Sequence, residues 1–131
     1  MVWYTAAIQL LRDSGLFRDV QIQGAKVRAM LDETRFLDIH FDPTTGSYSY
    51  ALIDLSLPYP GDKHLFGWDD FPHPGNQSLH ELASFPHHFQ WRDADGNWLF
   101  IETSFCGNIE ADIPTVLEYL RNFVTSDDPG W

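Results

Sequence analysis

Leu37-Asp38-Ile39-His40-Phe41-Asp42-Pro43-Thr44-Thr45-Gly46-Ser47-Tyr48-Ser49-Tyr50-Ala51-Leu52 is the stretch that decides the fold. Leu37, Ile39 and Phe41 alternate with Asp38, His40 and Asp42, the period-2 pattern of a strand with one covered face. Pro43 to Gly46 supplies turn chemistry, and alternation resumes from Ser47 to Leu55. With those four residues as the loop, Phe41 faces Tyr48, Ile39 faces Tyr50 and Leu37 faces Leu52. One face of the hairpin is then apolar throughout, which fixes its register.

Working outward, Trp3, Ala6, Ala7, Leu10 and Leu11 fall at spacings of three and four, so Val2 to Arg12 reads as a helix stopped by Ser14-Gly15. The apolar residues shift parity from Val20 and Ile22 to Ala25, Val27, Ala29 and Leu31, which predicts one strand with a β-bulge at Gly24. A second hairpin turns at Asp95-Gly96, between Phe89–Asp93 and Asn97–Ser104. Trp98-Leu99-Phe100-Ile101 is apolar on both faces and reads as a central, doubly covered strand. Ile113, Val116, Leu117, Leu120 and Phe123 keep helical spacing, with Asp112 as N-cap and Pro114 in the first turn. The expectation is a single α+β domain over residues 1–131: an antiparallel sheet of about five strands flanked by an N-terminal and a C-terminal helix. Residues 57–84 read as a long loop rich in proline, histidine and aromatic residues, and 125–131 as a frayed tail.

Among 131 residues, 19 Asp+Glu against 8 Lys+Arg give a formal charge of -11, which repels extended nucleic acid and leaves no expectation of DNA binding. Cys106 is the only cysteine, so an intramolecular disulfide framework and a zinc site built on several cysteines are both excluded. It reads as a buried, inert thiol. The sequence begins without a basic n-region, and no stretch approaches the ~18 apolar residues of a membrane span, so a cytoplasmic protein without membrane contact is expected.

His64, His73, His80, His87 and His88 place five of the six histidines within 25 residues of one another. Imidazole both gives and takes protons near neutrality and is the commonest metal ligand, so the cluster suits two chemistries. In one, two histidines serve as base and acid on a phosphodiester, with Arg92 or Lys63 steadying negative charge. In the other, His73, His80 and a carboxylate from Asp69, Asp70 or Glu81 hold a metal; no HExxH or comparable spacing appears, so no metal ligands and no cofactor are assigned. Asp93-Ala94-Asp95-Gly96-Asn97 has its glycine in the wrong place for a calcium loop and reads as a turn. His40, between Asp38 and Asp42, belongs to a solvated strand face. Tyr48 and Tyr50 carry hydroxyls able to donate protons in a site, while the register sends both to the apolar face.

Gly67-Trp68-Asp69-Asp70-Phe71-Pro72-His73-Pro74, followed by Ser84-Phe85-Pro86-His87-His88, resembles the TumE-like toxin family of prokaryotic toxin–antitoxin pairs. Tyr48-Ser49-Tyr50 upstream and the helix from Ile113 downstream agree in order, so the likeness covers roughly residues 35–124. Trp68, Asp69, Pro72 and His73 match its first element, and Phe85, Pro86, His87 and His88 its second; Phe89-Gln90 stands where relatives continue with a basic residue. The resemblance implies a small cytoplasmic toxin that acts on RNA and is neutralised by a cognate antitoxin protein. The expected reaction is metal-independent ribonucleolysis in which His87 and His88 share proton transfer, assisted by His73 and Arg92. Trp68, Asp69, Lys63 and Tyr50 are the expected binding residues. The alternative is a non-catalytic module that holds a partner protein on an aromatic surface around Tyr59, Phe66, Trp68 and Phe71.

Overall fold

A computed structural model describes residues 3–127. The elements run α1 (Trp3–Asp13), β1 (Asp19–Gln23), β2 (Lys26–Met30), β3 (Arg35–Phe41), β4 (Tyr48–Asp54), β5 (His64–Asp69), α2 (Gln77–His80), β6 (His88–Arg92), β7 (Trp98–Ile101) and α3 (Ile109–Asp127). All seven strands form one antiparallel sheet in sequential order from β1 to β7. The β3–β4 hairpin has the register expected from its alternation: Phe41 opposite Tyr48, Ile39 opposite Tyr50, Leu37 opposite Leu52. Those residues, with Val27, Ala29, Phe66, Trp68 and Phe89, form the apolar face that receives Ala7 and Leu11 of α1 and Ile113, Val116, Leu117 and Leu120 of α3. Burial of these large side chains at ~25 cal/mol per Å² is the main force holding helices to sheet.

The sheet has seven strands rather than about five, for two reasons. Gly24 is not a bulge: at φ +62° it opens a two-residue turn that folds β2 back on β1, with Gln23 opposite Lys26. A parity shift across a glycine is produced by either device, and the flanking strands here are long enough to pair with each other. The expected loop 57–84 contains β5 and α2. Phe66 and Trp68 sit two apart on the core face of β5 while Gly67 between them has no side chain, so its alternation was easy to miss.

Four further expectations are corrected. β7 is an edge strand, and Leu99 and Ile101 are 40% and 47% exposed rather than covered on both faces. Asp112 lies inside α3, whose start is capped by the Asn108 side chain accepting from Ala111 N–H (3.3 Å). Asp112 is instead buried, accepting from the Tyr50 hydroxyl (2.8 Å) and Gly107 N–H (3.0 Å), and so ties α3 to the centre of the sheet. Asp38 is buried on the other face beneath Arg28, whose Nε and Nη2 donate to its two oxygens at 2.8 and 3.0 Å. Cys106 is exposed. Of the expected frayed tail, 125–127 continue α3, and 128–131 lie outside the described residues, as does Val2 at the other end. The Asp93–Asn97 segment is the expected turn, with Asp93 Oδ1 accepting from Asp95 and Asn97 N–H, both at 2.9 Å.

Candidate functional site

Strand alternation puts Gly67 and Asp69 of β5, and His88 and Gln90 of β6, on the face opposite Trp68 and Phe89, away from α3. Asp69 stands directly across from His88, and Gly67 across from Gln90. Gly67 lets the β4 backbone approach β5 closely here; a Cβ there would lie 2.6 Å from the Tyr50 carbonyl oxygen. A groove of about 150 Å³, lined in part by Ser49, Asp62, His64, Gly67, Asp69 and Gln90, runs along it.

After β5 the chain reverses beside Asp69, one of the residues that line this groove. Asp69 accepts from Phe71 N–H at 2.9 Å, which starts the reversal. His73 then adopts φ +41°, the one non-glycine residue with positive φ among those described. That conformation is strained for an L-residue with a Cβ. Its ring stands edge-on to Phe71 (4.7 Å between centroids) and to His88 (5.3 Å). One polar atom from each of Asp69, His73 and His88 thus comes within 4.8 Å of the other two.

The proton inventory follows from the partners. His88 is fully buried, and its Nδ1 lies 2.8 Å from the Pro86 carbonyl oxygen, so Nδ1 carries a hydrogen and donates. Its Nε2 meets two oxygens, Gln90 Oε1 at 2.8 Å and Asp69 Oδ1 at 3.1 Å. With both nitrogens facing acceptors, the charged form of the ring is favoured. Burial by itself would lower the His88 pKa, and the hydrogen bond and charge of Asp69 outweigh it, leaving the pKa raised above 6.5. His73 goes the other way. Burial is the largest influence and lowers its pKa from 6.5; the charge of His88 adds to this, while Asp69 and the neighbouring Gln90 side chain oppose it. Nε2 of His73 is buried and meets no hydrogen-bond partner. A buried ring nitrogen that meets no partner in hydrogen-bond geometry is uncommon in a folded protein.

The other expected residues are placed elsewhere. His87, one residue before β6, is on the helix side of the sheet: its Nδ1 lies 2.9 Å from the Tyr48 hydroxyl and its ring stacks on Tyr48 at 5.7 Å. The adjacent histidines therefore do not share one site. Arg92 donates from Nε to the His64 carbonyl (2.7 Å) and from Nη1 to the Gly96 carbonyl (3.2 Å), pairs with Asp62, and lies between the Tyr59 and Trp98 rings. It clamps the β6–β7 turn to the start of β5. Lys63 donates to the Leu57 carbonyl at 2.8 Å and to that of Tyr59, closing the turn before β5. Trp68 and Tyr50 are core residues, Trp68 against Phe89, Phe105 and Tyr119, Tyr50 bonded to Asp112. Burial of Tyr50, reinforced by Asp112, pushes its hydroxyl far above the ordinary phenol range. The expected aromatic surface is dissolved by the same burial: Phe66 and Trp68 are in the core, and Tyr59 lies under Arg92, leaving Phe71 exposed. Of the metal ligands weighed from sequence, Asp69 and His73 converge; His80 instead meets the Pro72 carbonyl, Asp70 accepts from the Ser47 hydroxyl and Glu81 pairs with Gln77.

Gln90 and the Pro86 carbonyl were not singled out from the sequence. The signal for Gln90 was its i+2 relation to His88, decisive only once β6 is known to pair with β5. No helix among the described residues is long and apolar enough to cross a membrane. Comparison with curated proteins and with solved structures gives no match. The family model described as "Toxin TumE" matches residues 7–124, from within α1 to within α3, and so takes in every residue of the site. The chain belongs to the TumE toxin family.

Proposed function

We propose that this toxin-family protein cleaves RNA, that its reacting groups are Asp69, His73 and His88, and that a cognate antitoxin protein restrains it. The observation that carries this reading is the convergence of those three side chains, within 4.8 Å, on the sheet face away from the helices. The proton-transfer pair is His73 with His88 rather than His87 with His88, because the latter two lie on opposite sides of the sheet.

The two histidines are pushed in opposite directions from 6.5, the pattern that separates a base from an acid. His73, unprotonated near neutrality, takes the proton of an RNA 2′-hydroxyl as that oxygen attacks the adjacent phosphorus. His88, protonated against Asp69, gives its proton to the departing 5′-oxygen, leaving a 2′,3′-cyclic phosphate. This sequence needs no metal. His73 is presented by the 70–76 segment at a strained φ of +41°.

The test is cleavage of an RNA pool in the presence of EDTA by the wild type and by His73→Ala, His88→Asn and His87→Ala. Loss of a proton-transfer group lowers rates by roughly 10²–10⁴-fold. The expected result is such a loss for His73→Ala and His88→Asn with His87→Ala nearly unaffected. Cleavage indifferent to His73→Ala, or abolished by EDTA in the wild type, refutes the reading.

A further inference from the structure

We infer that Asp69, His73 and His88 also form a binding site for a divalent transition-metal ion of the zinc class. The inference concerns the cluster already assigned to RNA cleavage; it rests on that reading only for the effect of the metal on cleavage, not for binding itself.

Three features support it. The donor set is two imidazole nitrogens and one carboxylate oxygen, the combination that suits zinc and its first-row neighbours rather than magnesium or calcium. Tetrahedral zinc holds such donors at about 2.0–2.1 Å, which places them roughly 3.4 Å from one another. Asp69 and His88 are already 3.1 Å apart, and all three donors are within 4.8 Å, so a shift of the His73 ring by about an ångström or two closes the set.

The second feature is His73 itself. Its Nε2 is buried without a hydrogen-bond partner, on a residue held at φ +41°. Both are unfavourable in a protein with nothing to bind there, and in the tautomer with its hydrogen on Nδ1 a metal ion on Nε2 satisfies the buried nitrogen. The third is the support behind His88. Its Nδ1–H donates to the Pro86 carbonyl at 2.8 Å, which aims Nε2 at Asp69. A ligating histidine is characteristically oriented by such a bond from its other nitrogen. Gln90 Oε1, 2.8 Å from His88 Nε2, or a water completes the fourth position. Among the described residues no other group of three such side chains converges.

The experiment is calorimetric titration of the chelator-treated, untagged chain with zinc chloride, alongside His73→Ala, Asp69→Asn and His80→Ala. His73 is on a partly exposed loop, so its replacement leaves the core intact, and a circular dichroism spectrum verifies folding of each variant. The expected result is one zinc per chain in the wild type and in His80→Ala, with affinity at least about tenfold weaker in His73→Ala and in Asp69→Asn. No saturable binding, or binding unchanged by His73→Ala, overturns the site. Cleavage assays on the same samples separate the two readings. Zinc binding with no RNA cleavage by either form upholds the site and removes the ribonuclease, whereas cleavage by a protein that binds no zinc does the reverse. If both hold, zinc displaces the proton from His88 Nε2 and occupies the nitrogens that proton transfer uses, so loaded protein cleaves more slowly than metal-free protein.

Discussion

The bond between the Tyr50 hydroxyl and Asp112 can be weighed by a double-mutant cycle, because both groups are buried and their partners are known. Tyr50 is inaccessible to water and donates to Asp112 Oδ2 at 2.8 Å, while Gly107 N–H donates to the same oxygen at 3.0 Å. A hydrogen bond to a charged group contributes about 1.5–3 kcal/mol, so Tyr50→Phe is expected to destabilise by about 2 kcal/mol. Asp112→Ala strands two buried donors, the Tyr50 hydroxyl and the Gly107 amide, and is expected to cost about 4 kcal/mol. In the double variant the stranded hydroxyl is gone. Its cost should therefore stay near that of Asp112→Ala alone, giving a coupling of about 2 kcal/mol. Urea unfolding followed by tryptophan fluorescence measures this; at a slope of about 1.5 kcal/mol/M, Tyr50→Phe moves the midpoint down by about 1.3 M. Additive single effects, with coupling below about 0.5 kcal/mol, would show that the bond does not tie α3 to the sheet.

Gly67→Ala should destabilise by about 2–3 kcal/mol in the same assay, because the added Cβ meets backbone that cannot rotate aside. It would lie 2.6 Å from the Tyr50 carbonyl and 3.0 Å from Ala51 Cα, and an unchanged midpoint would refute the close packing of β5 on β4. The pH profile of cleavage should be a plateau spanning 6.5. His73 must be unprotonated, so the rate falls as pH drops below its lowered pKa, and His88 must be protonated, so the rate falls as pH rises above its raised one. A rate still climbing well above neutrality would exclude His88 as the acid. Binding of single-stranded RNA should depend weakly on salt, since Arg92 and Lys63 are engaged by Asp62 and by backbone carbonyls. Neutralising one or two phosphates gives a log–log slope no steeper than about −1.4, and a slope near −4 would reveal a basic surface that the structure does not place here.

The β3–β4 hairpin was legible because every residue pair across it agreed: sliding the register by one would have put Asp38 and His40 in the core. The two extra strands were not legible for a local reason in each case. At Gly24 the parity of apolar residues changes whether the chain bulges or reverses, and which occurs depends on whether Asp19–Gln23 finds Lys26–Met30 as a partner. In β5, Gly67 interrupts the alternation because the backbone of β4 occupies the space of its side chain. A residue chosen for a close approach removes the very signal from which a strand is recognised. β7 departs from expectation because apolar residues on both faces of a strand do not require two covers. Leu99 and Ile101 instead remain exposed at the edge, with Trp91 and Phe89 as their neighbours in β6.

The candidate site followed the same division. Asp69, His73 and His88 were each singled out by type and motif, but their grouping depended on β5, the strand that was not seen. Once β5 pairs with β6, alternation alone separates His87 from His88: adjacent residues entering a strand point to opposite faces, so a His-His pair at a strand entry cannot converge on one phosphate. Convergence instead requires a histidine two positions along the same face or one brought from another segment. The Asp69–Pro74 reversal supplies it, with His73 forced into positive φ to reach His88. That strain, the unpartnered buried nitrogen of His73 and the doubly bonded His88 all meet at one point on the sheet. The main core lies on the other face, and here it is Phe71 and Phe100 that pack against the two histidine rings. A strained histidine with an unpartnered buried nitrogen, set beside a fully bonded one, is the kind of local conflict that the proposed chemistry would explain.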